Sequence, residues 1–163
     1  MKKITVLPIL ILIALTMAGC ASFNPRPIEE VPFLDRAQTR TVNDLRVTVA
    51  VPTETETREL FDAKLHKKRI QPVWFEIENQ TDETAWFFHY AVDPEYFPPL
   101  EVAWKSHRTW AKKTNRRIDE FFYDQSIGAV IQPRQSISGY VFVNLDRGWK
   151  YVPVEVLQED GIH

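Results

Sequence analysis

One thiol, four imidazoles and a run of closely spaced acids make up the reactive repertoire of this 163-residue chain. The thiol is Cys20, the only cysteine, so no disulfide forms within the chain. A lone thiol is a nucleophile or a place to attach something. His89, Asp93, Glu95, Tyr96 and Glu101 lie close together, and carboxylates with an imidazole can hold a divalent cation or act as acid and base. Asp93 and Glu95 also flank a proline in a loop, where acids are ordinary. No H-E-x-x-H, EF-hand spacing, glycine-rich phosphate loop or nucleophile elbow accompanies them. The residues therefore predict no cofactor and no metal. They favour a protein that binds over one that catalyses. An accessory hydrolase or metal-binding domain using the acids of residues 93–101 is the alternative.

A second constellation is Trp104, His107, Trp110, Lys112, Lys113, Arg116 and Arg117. Aromatic rings interleaved with cations bind lipid headgroups, glycans or protein partners by stacking and charge. The same pattern also arises when an amphipathic helix lays its aromatic side on a sheet. Lys64, His66, Lys67, Lys68 and Arg69 form the densest basic stretch. They suit either contact with anionic lipid or lipopolysaccharide, or a solvated helix end, where cations complement the dipole.

Cys20 acquires a role from what precedes it. Lys2 and Lys3 lead an apolar run from Ile4 to Thr16, followed by the small residues Ala18 and Gly19. A positive end, an apolar middle and small residues before a cut make a secretory signal over residues 1–19. The apolar run falls short of the roughly 20 residues that span a bilayer. Met17-Ala18-Gly19-Cys20 resembles the lipobox of bacterial lipoproteins. That resemblance implies cleavage before Cys20, a thioether-linked diacylglycerol on its sulfur and acylation of its new amino group. Several acyl chains give a stable anchor where one does not. Ala21, in the place where Asp would favour retention in the inner membrane, implies an outer-membrane address with the domain facing the periplasm. Residues 20–31 then read as the acylated cysteine and a flexible tether, since Asn24-Pro25-Arg26-Pro27 has no periodicity.

The elements behind these groups follow from periodicity. The chain carries 20 basic and 22 acidic residues, and losing the leader with its lysines leaves it more acidic. That argues against a nucleic-acid binder. Residues 32–163 suit one domain. Leu45 to Val51 alternates as a strand with Leu45, Val47, Val49 and Val51 inward. Thr53 and Glu56 form a capping-box pattern for a short helix of about Glu54 to Leu65 burying Leu60, Phe61 and Leu65. Val73, Phe75 and Ile77 mark a second strand. Asn79 to Glu83 is turn chemistry leading to a third strand, about Thr84 to Val92, with Trp86, Phe88 and Tyr90 on one face. These two read as a hairpin. Residues 100–125 have helical spacing. Ile137 to Val143 and Tyr151 to Leu157 alternate again and read as a second hairpin.

The expected fold is mainly β: an immunoglobulin-like antiparallel β-sandwich, with a short helix after the first core strand and a helical insertion around residues 100–125. Val31 to Ala37, Ile70 to Asn79, Asp93 to Glu101 and Gly139 to Asp146 resemble a domain found just upstream of LssY-type C-terminal domains in bacterial envelope proteins. The similarity spans most of residues 31–156. It implies an envelope setting and no established activity; LssY is linked by name to type I secretion, and relatives sit beside membrane phosphatase domains. The combined expectation is a lipid-anchored outer-membrane module. Its partners would be the membrane, through the lipid, and another envelope protein or component, met through Trp104, His107, Trp110, Arg116 and Arg117.

Overall fold

A computed structural model of the chain describes residues 22–146, 148, 152–158 and 161–162. The signal, the lipobox Met17, Ala18 and Gly19, Cys20 and Ala21 all lie outside these residues.

The fold is built on a four-stranded antiparallel sheet with strand order β1-β2-β3-β6. Its strands are β1 (Gln38–Val42), β2 (Leu45–Ala50), β3 (Ile70–Asn79) and β6 (Ser136–Asn144). A smaller antiparallel sheet has the order β5-β4-β7-β8, from β4 (Ala85–Phe87), β5 (Val130–Ile131), β7 (Val156–Gln158) and β8 (Gly161–Ile162). The helices are α1 (Glu54–Phe61), α2 (His89–Val92), α3 (Pro99–Ser106) and α4 (Lys112–Asp124).

Alternation along the central strands sorts side chains onto two faces. Trp74, Tyr140 and Phe142 pack with Phe33, Phe61, Val102, Ala103, Ile118 and Phe122, so the helices cover one face. Val73, Phe75, Ile77, Val141 and Val143 pack with Ala85, Phe87, Ile131 and Val156, so the small sheet covers the other. β3 is therefore buried nearly throughout. Helix makes up about 34% and strand about 30% of the structure. The expectation of a mainly β chain gives way to a mixed α/β one. The helical segments carry half of the core, the aromatic half, because Phe61, Phe121 and Phe122 form a ring cluster with Tyr140 and Phe142.

Local signals hold well. Thr53 caps α1: its Oγ1 accepts from the Glu56 amide, and the Glu56 carboxylate accepts from the Thr53 amide at 2.8 Å. The helical insertion is present as α3 and α4. Both expected hairpins are absent. β3 lies in the large sheet and β4 in the small one; β6 and β7 divide the same way. The turn after β3 is a crossover clamped by Asn79, which is wholly buried. Its amide nitrogen donates to the carbonyls of Glu83 at 2.7 Å and Ile131 at 3.3 Å, and its Oδ1 accepts from the amide and hydroxyl of Thr81. The third strand is cut short at Phe87, and the chain turns into α2. There Ala85 and Phe87 face the core instead of Trp86, Phe88 and Tyr90.

The flexible tether is also corrected. Phe23 is 4% exposed within the aromatic core, its ring edge-on to Phe121 at 5.3 Å. The Arg26 amide donates to the Glu59 carbonyl at 2.9 Å, and its guanidinium pairs with the Glu59 carboxylate at 2.7 Å. Residues 22–31 run across the helical face because an apolar ring and a backbone bond hold them there; their prolines and polar residues conceal this in the sequence.

Candidate functional site

Two of the three acids between residues 93 and 101, Asp93 and Glu101, have structural partners. Asp93 Oδ1 accepts from the Glu95 amide at 2.9 Å, while Oδ2 accepts from the Asn144 amide at 2.8 Å and from its side-chain nitrogen at 3.2 Å. Asp93 thus secures the end of β6. Glu101 pairs with Lys105 one helical turn on, at 3.3 Å. Glu95 is exposed. His89 turns inward, its ring against Phe87 at 5.1 Å and Tyr96 at 5.8 Å. Burial holds its imidazole below the ordinary histidine range, and backbone bonds to Gly128 and Ile127 oppose this in part. These four side chains share no pocket-facing constellation. Among the described residues no group of three or more His, Cys, Asp or Glu side chains could hold a metal.

The 104–117 group divides. His107, Trp110 and Arg116 line an open cleft at the start of α4, and His107 Nε2 meets Asp119 Oδ1 at 2.8 Å. Trp110 is fully exposed and sits at a φ of +59° in the α3–α4 turn, a conformation uncommon for a bulky residue. Trp104 is 65% exposed on α3. Arg117 turns away, and its guanidinium donates to the Phe23 carbonyl at 3.4 Å. The sheet-facing residues of α4 are Ile118 and Phe122, so the two tryptophans do not serve the core.

One further site escapes the sequence reading, and another is only partly legible in it. The first is a groove of about 570 Å³ between the β1–β2 edge and the 152–156 segment. Val47, Val49 and Val51 form one wall and Val152, Val154 and Val156 the other. Val47 and Val49 were legible as inward-facing, yet they stay half-buried because β4 and β5 cover only the β3–β6 half of the sheet. The rim carries Arg36, Gln38 and Arg40. Arg36 is held by Glu56 at 2.6 Å; Arg40 makes no ion pair among the described residues. β1, with every residue exposed, was invisible because it has no apolar alternation. The signal that finds it is Asn43-Asp44, both at positive φ, a two-residue hairpin turn.

The second is a basic cleft of about 470 Å³ lined by Arg58, Asp62, Lys64, Lys68 and Arg108. It joins the end of α1 to the α3–α4 turn. Arg108 pairs with Asp62 at 2.7 Å. Arg58, Lys64 and Lys68 form no ion pair among the described residues. Burial, and then the nearby Lys105, holds the Lys68 ammonium below its ordinary range. The sequence flagged Lys64 and Lys68 as part of a basic run; Arg58 and Arg108 join them only through the fold.

A comparison with protein families, curated proteins and solved structures finds no match for the chain. No described helix is long and apolar enough to cross a membrane.

Proposed function

We propose that this protein is a lipid-anchored module of the bacterial outer membrane, held by acyl chains on Cys20, that binds an envelope amphiphile rather than transforming it. The valine groove carries the reading. Its walls are aliphatic, without aromatic rings, which suits a flexible alkyl chain better than a flat ligand. The backbone groups of β2 are spent on pairing with β1 and β3, so a peptide entering the groove would find few partners for its own amides. Arg40 among its lining residues makes no ion pair among the described residues and offers an anionic headgroup its charge. The occupant is therefore a single alkyl chain with an anionic head. The engagement of Asp93 with Asn144 and of Glu101 with Lys105 supports binding over hydrolysis. The lipobox-like Met17-Ala18-Gly19-Cys20 and the LssY-associated blocks support the envelope setting. We also read the two sheets, with their shared valine and phenylalanine core, as a distorted immunoglobulin-like sandwich.

The test is titration of the full protein with a fluorescent fatty acid and its displacement by palmitate. Saturable binding is expected. Filling the groove with Val49→Phe should abolish it, and Arg40→Gln should weaken it about tenfold, the worth of one charge-assisted contact. Absence of binding, or binding indifferent to both substitutions, refutes the groove as the site.

A further inference from the structure

The end of the described chain lies beside the basic cleft. The Arg108 guanidinium donates to the Ser22 carbonyl and, at 2.7 Å, to Asp62 Oδ2. Asp62 Oδ2 also accepts from the Asn24 amide at 2.9 Å. Phe23 is locked between Phe121 and the Arg108 guanidinium, which stands 6.0 Å from its ring. Bonds on both sides of Phe23 thus fix this segment, Ser22 to Arg108 in the α3–α4 turn and Asn24 to Asp62 at the end of α1. Cys20 is two residues further, and two residues of extended chain reach only roughly 7 Å. An anchor on Cys20 therefore begins within that reach of Ser22, which Arg108 holds.

We infer that the α3–α4 turn and the adjoining cleft of Arg58, Lys64 and Lys68 form a membrane-docking face, which receives anionic phospholipid headgroups of the leaflet that holds the Cys20 acyl chains. The inference rests on the lipid-anchor reading and deepens it. Three observations converge. Chain length allows no gap between the anchor and this face. The cleft carries three cations without an ion pair among the described residues, and Asp62, the one acid in its lining, is already occupied by Arg108 and Asn24. Trp110 projects fully exposed from the same turn, and tryptophan is the side chain that settles at the headgroup level of a bilayer. A rigid domain docked through the cleft and Trp110 has one orientation, whereas a domain on a loose tether has many.

The test uses the full protein, purified with its native N-terminus and reconstituted into phosphatidylethanolamine vesicles with or without a minority of phosphatidylglycerol. Lipids brominated near the headgroup quench tryptophan that enters the interface. Strong quenching is expected, greater with phosphatidylglycerol, and Trp110→Phe should remove most of it. The triple variant Arg58→Gln, Lys64→Gln, Lys68→Gln should stay on the vesicles through its acyl chains yet lose the phosphatidylglycerol dependence. Each cation near an anionic surface is worth about a fivefold change in affinity. A vesicle-bound protein whose quenching ignores both Trp110 and the three cations overturns the docking face and leaves the anchor standing. Mass spectrometry of the N-terminal peptide reads the anchor separately. An unacylated Cys20 removes the anchor, and the docking face with it.

Discussion

Gly139→Ala tests how the helical layer is joined to the sheet. Gly139 lies in β6 where residues 125–127 run alongside it, bridged in parallel from Ser126 to Tyr140, and its φ is +155°. A Cβ there would stand 2.6 Å from the Ile127 nitrogen and 2.8 Å from both the Ile127 Cα and the Ser126 carbonyl carbon. All three are backbone atoms, so no side-chain rotation relieves the overlap. Relief requires residues 125–127 to lift off β6. That motion strains the bond from the Tyr140 amide to the Gln125 carbonyl, 2.8 Å, and the one from the Ile127 amide to the Tyr140 carbonyl, 3.2 Å. Two such bonds and partial exposure of the buried Ile127 side chain amount to about 3 kcal/mol. For a domain of this size that is a fall in Tm of about 10 °C. Urea unfolding followed by tryptophan emission reads it, with Gly128→Ala as the control, since a Cβ at Gly128 meets nothing within 4 Å. A Gly139→Ala protein within about 0.5 kcal/mol of the parent, the ordinary scatter of surface substitutions, would refute this pairing as a rigid joint.

Phe23→Ala should cost about 3 kcal/mol, the cost of truncating a core phenylalanine, measured by urea unfolding; a change near zero would return residues 22–31 to a loose tether. Asn79→Asp should destabilise by about 3 kcal/mol, because the carboxylate cannot donate to the Glu83 and Ile131 carbonyls that the amide serves; the thermal midpoint reports it. Thr53→Ala should cost about 1 kcal/mol through the lost cap on α1, seen as a smaller fall in Tm. Acid should weaken the fold through His89, whose folded pKa lies below its ordinary value of 6.5 because it is buried. The neutral ring's contribution is full above that unfolded value and is lost as pH falls through the lower folded one. Urea midpoints taken downward from pH 7 should therefore decline, and His89→Phe should flatten the decline.

The local elements were legible because their causes are local. Leu45 to Ala50 alternates, and Thr53 and Glu56 cap a helix within four residues; that helix ends at Phe61, four residues short of the expected Leu65, because Asp62 turns left-handed and Leu65 is buried from a separate 3-10 turn, Leu65–Lys68. Pairing was not legible. Asn79 to Glu83 has the composition of a hairpin turn, yet Asn79 bonds the distant Ile131 and sends the chain to another sheet. Nothing within the turn encodes a partner so far along the chain. Phe33, in the 3-10 segment Pro32–Arg36, and Val31 just before it sit in the core without the period of a helix or strand, so burial there left no pattern. The candidate sites divide the same way. His107, Trp110 and Arg116 are near neighbours in sequence and meet in space. The valine groove needed β2 and the C-terminal segment face to face, and the basic cleft needed Arg58 and Arg108 brought beside Lys64 and Lys68.

The pairing of β3 with β6 sets the order in which this chain can mature. Ile70 aligns with Asn144 and Glu78 with Ser136, so the central strand waits for a partner made late in synthesis. Phe23, near the start, waits for Phe121 in the same way. A chain emerging residue by residue from a ribosome or a membrane pore can form α1 and the β1–β2 hairpin early, but it cannot close either core until β6 is out. Such long-range closure is slow. It leaves most of the polypeptide without a closed core until nearly all of it has been made.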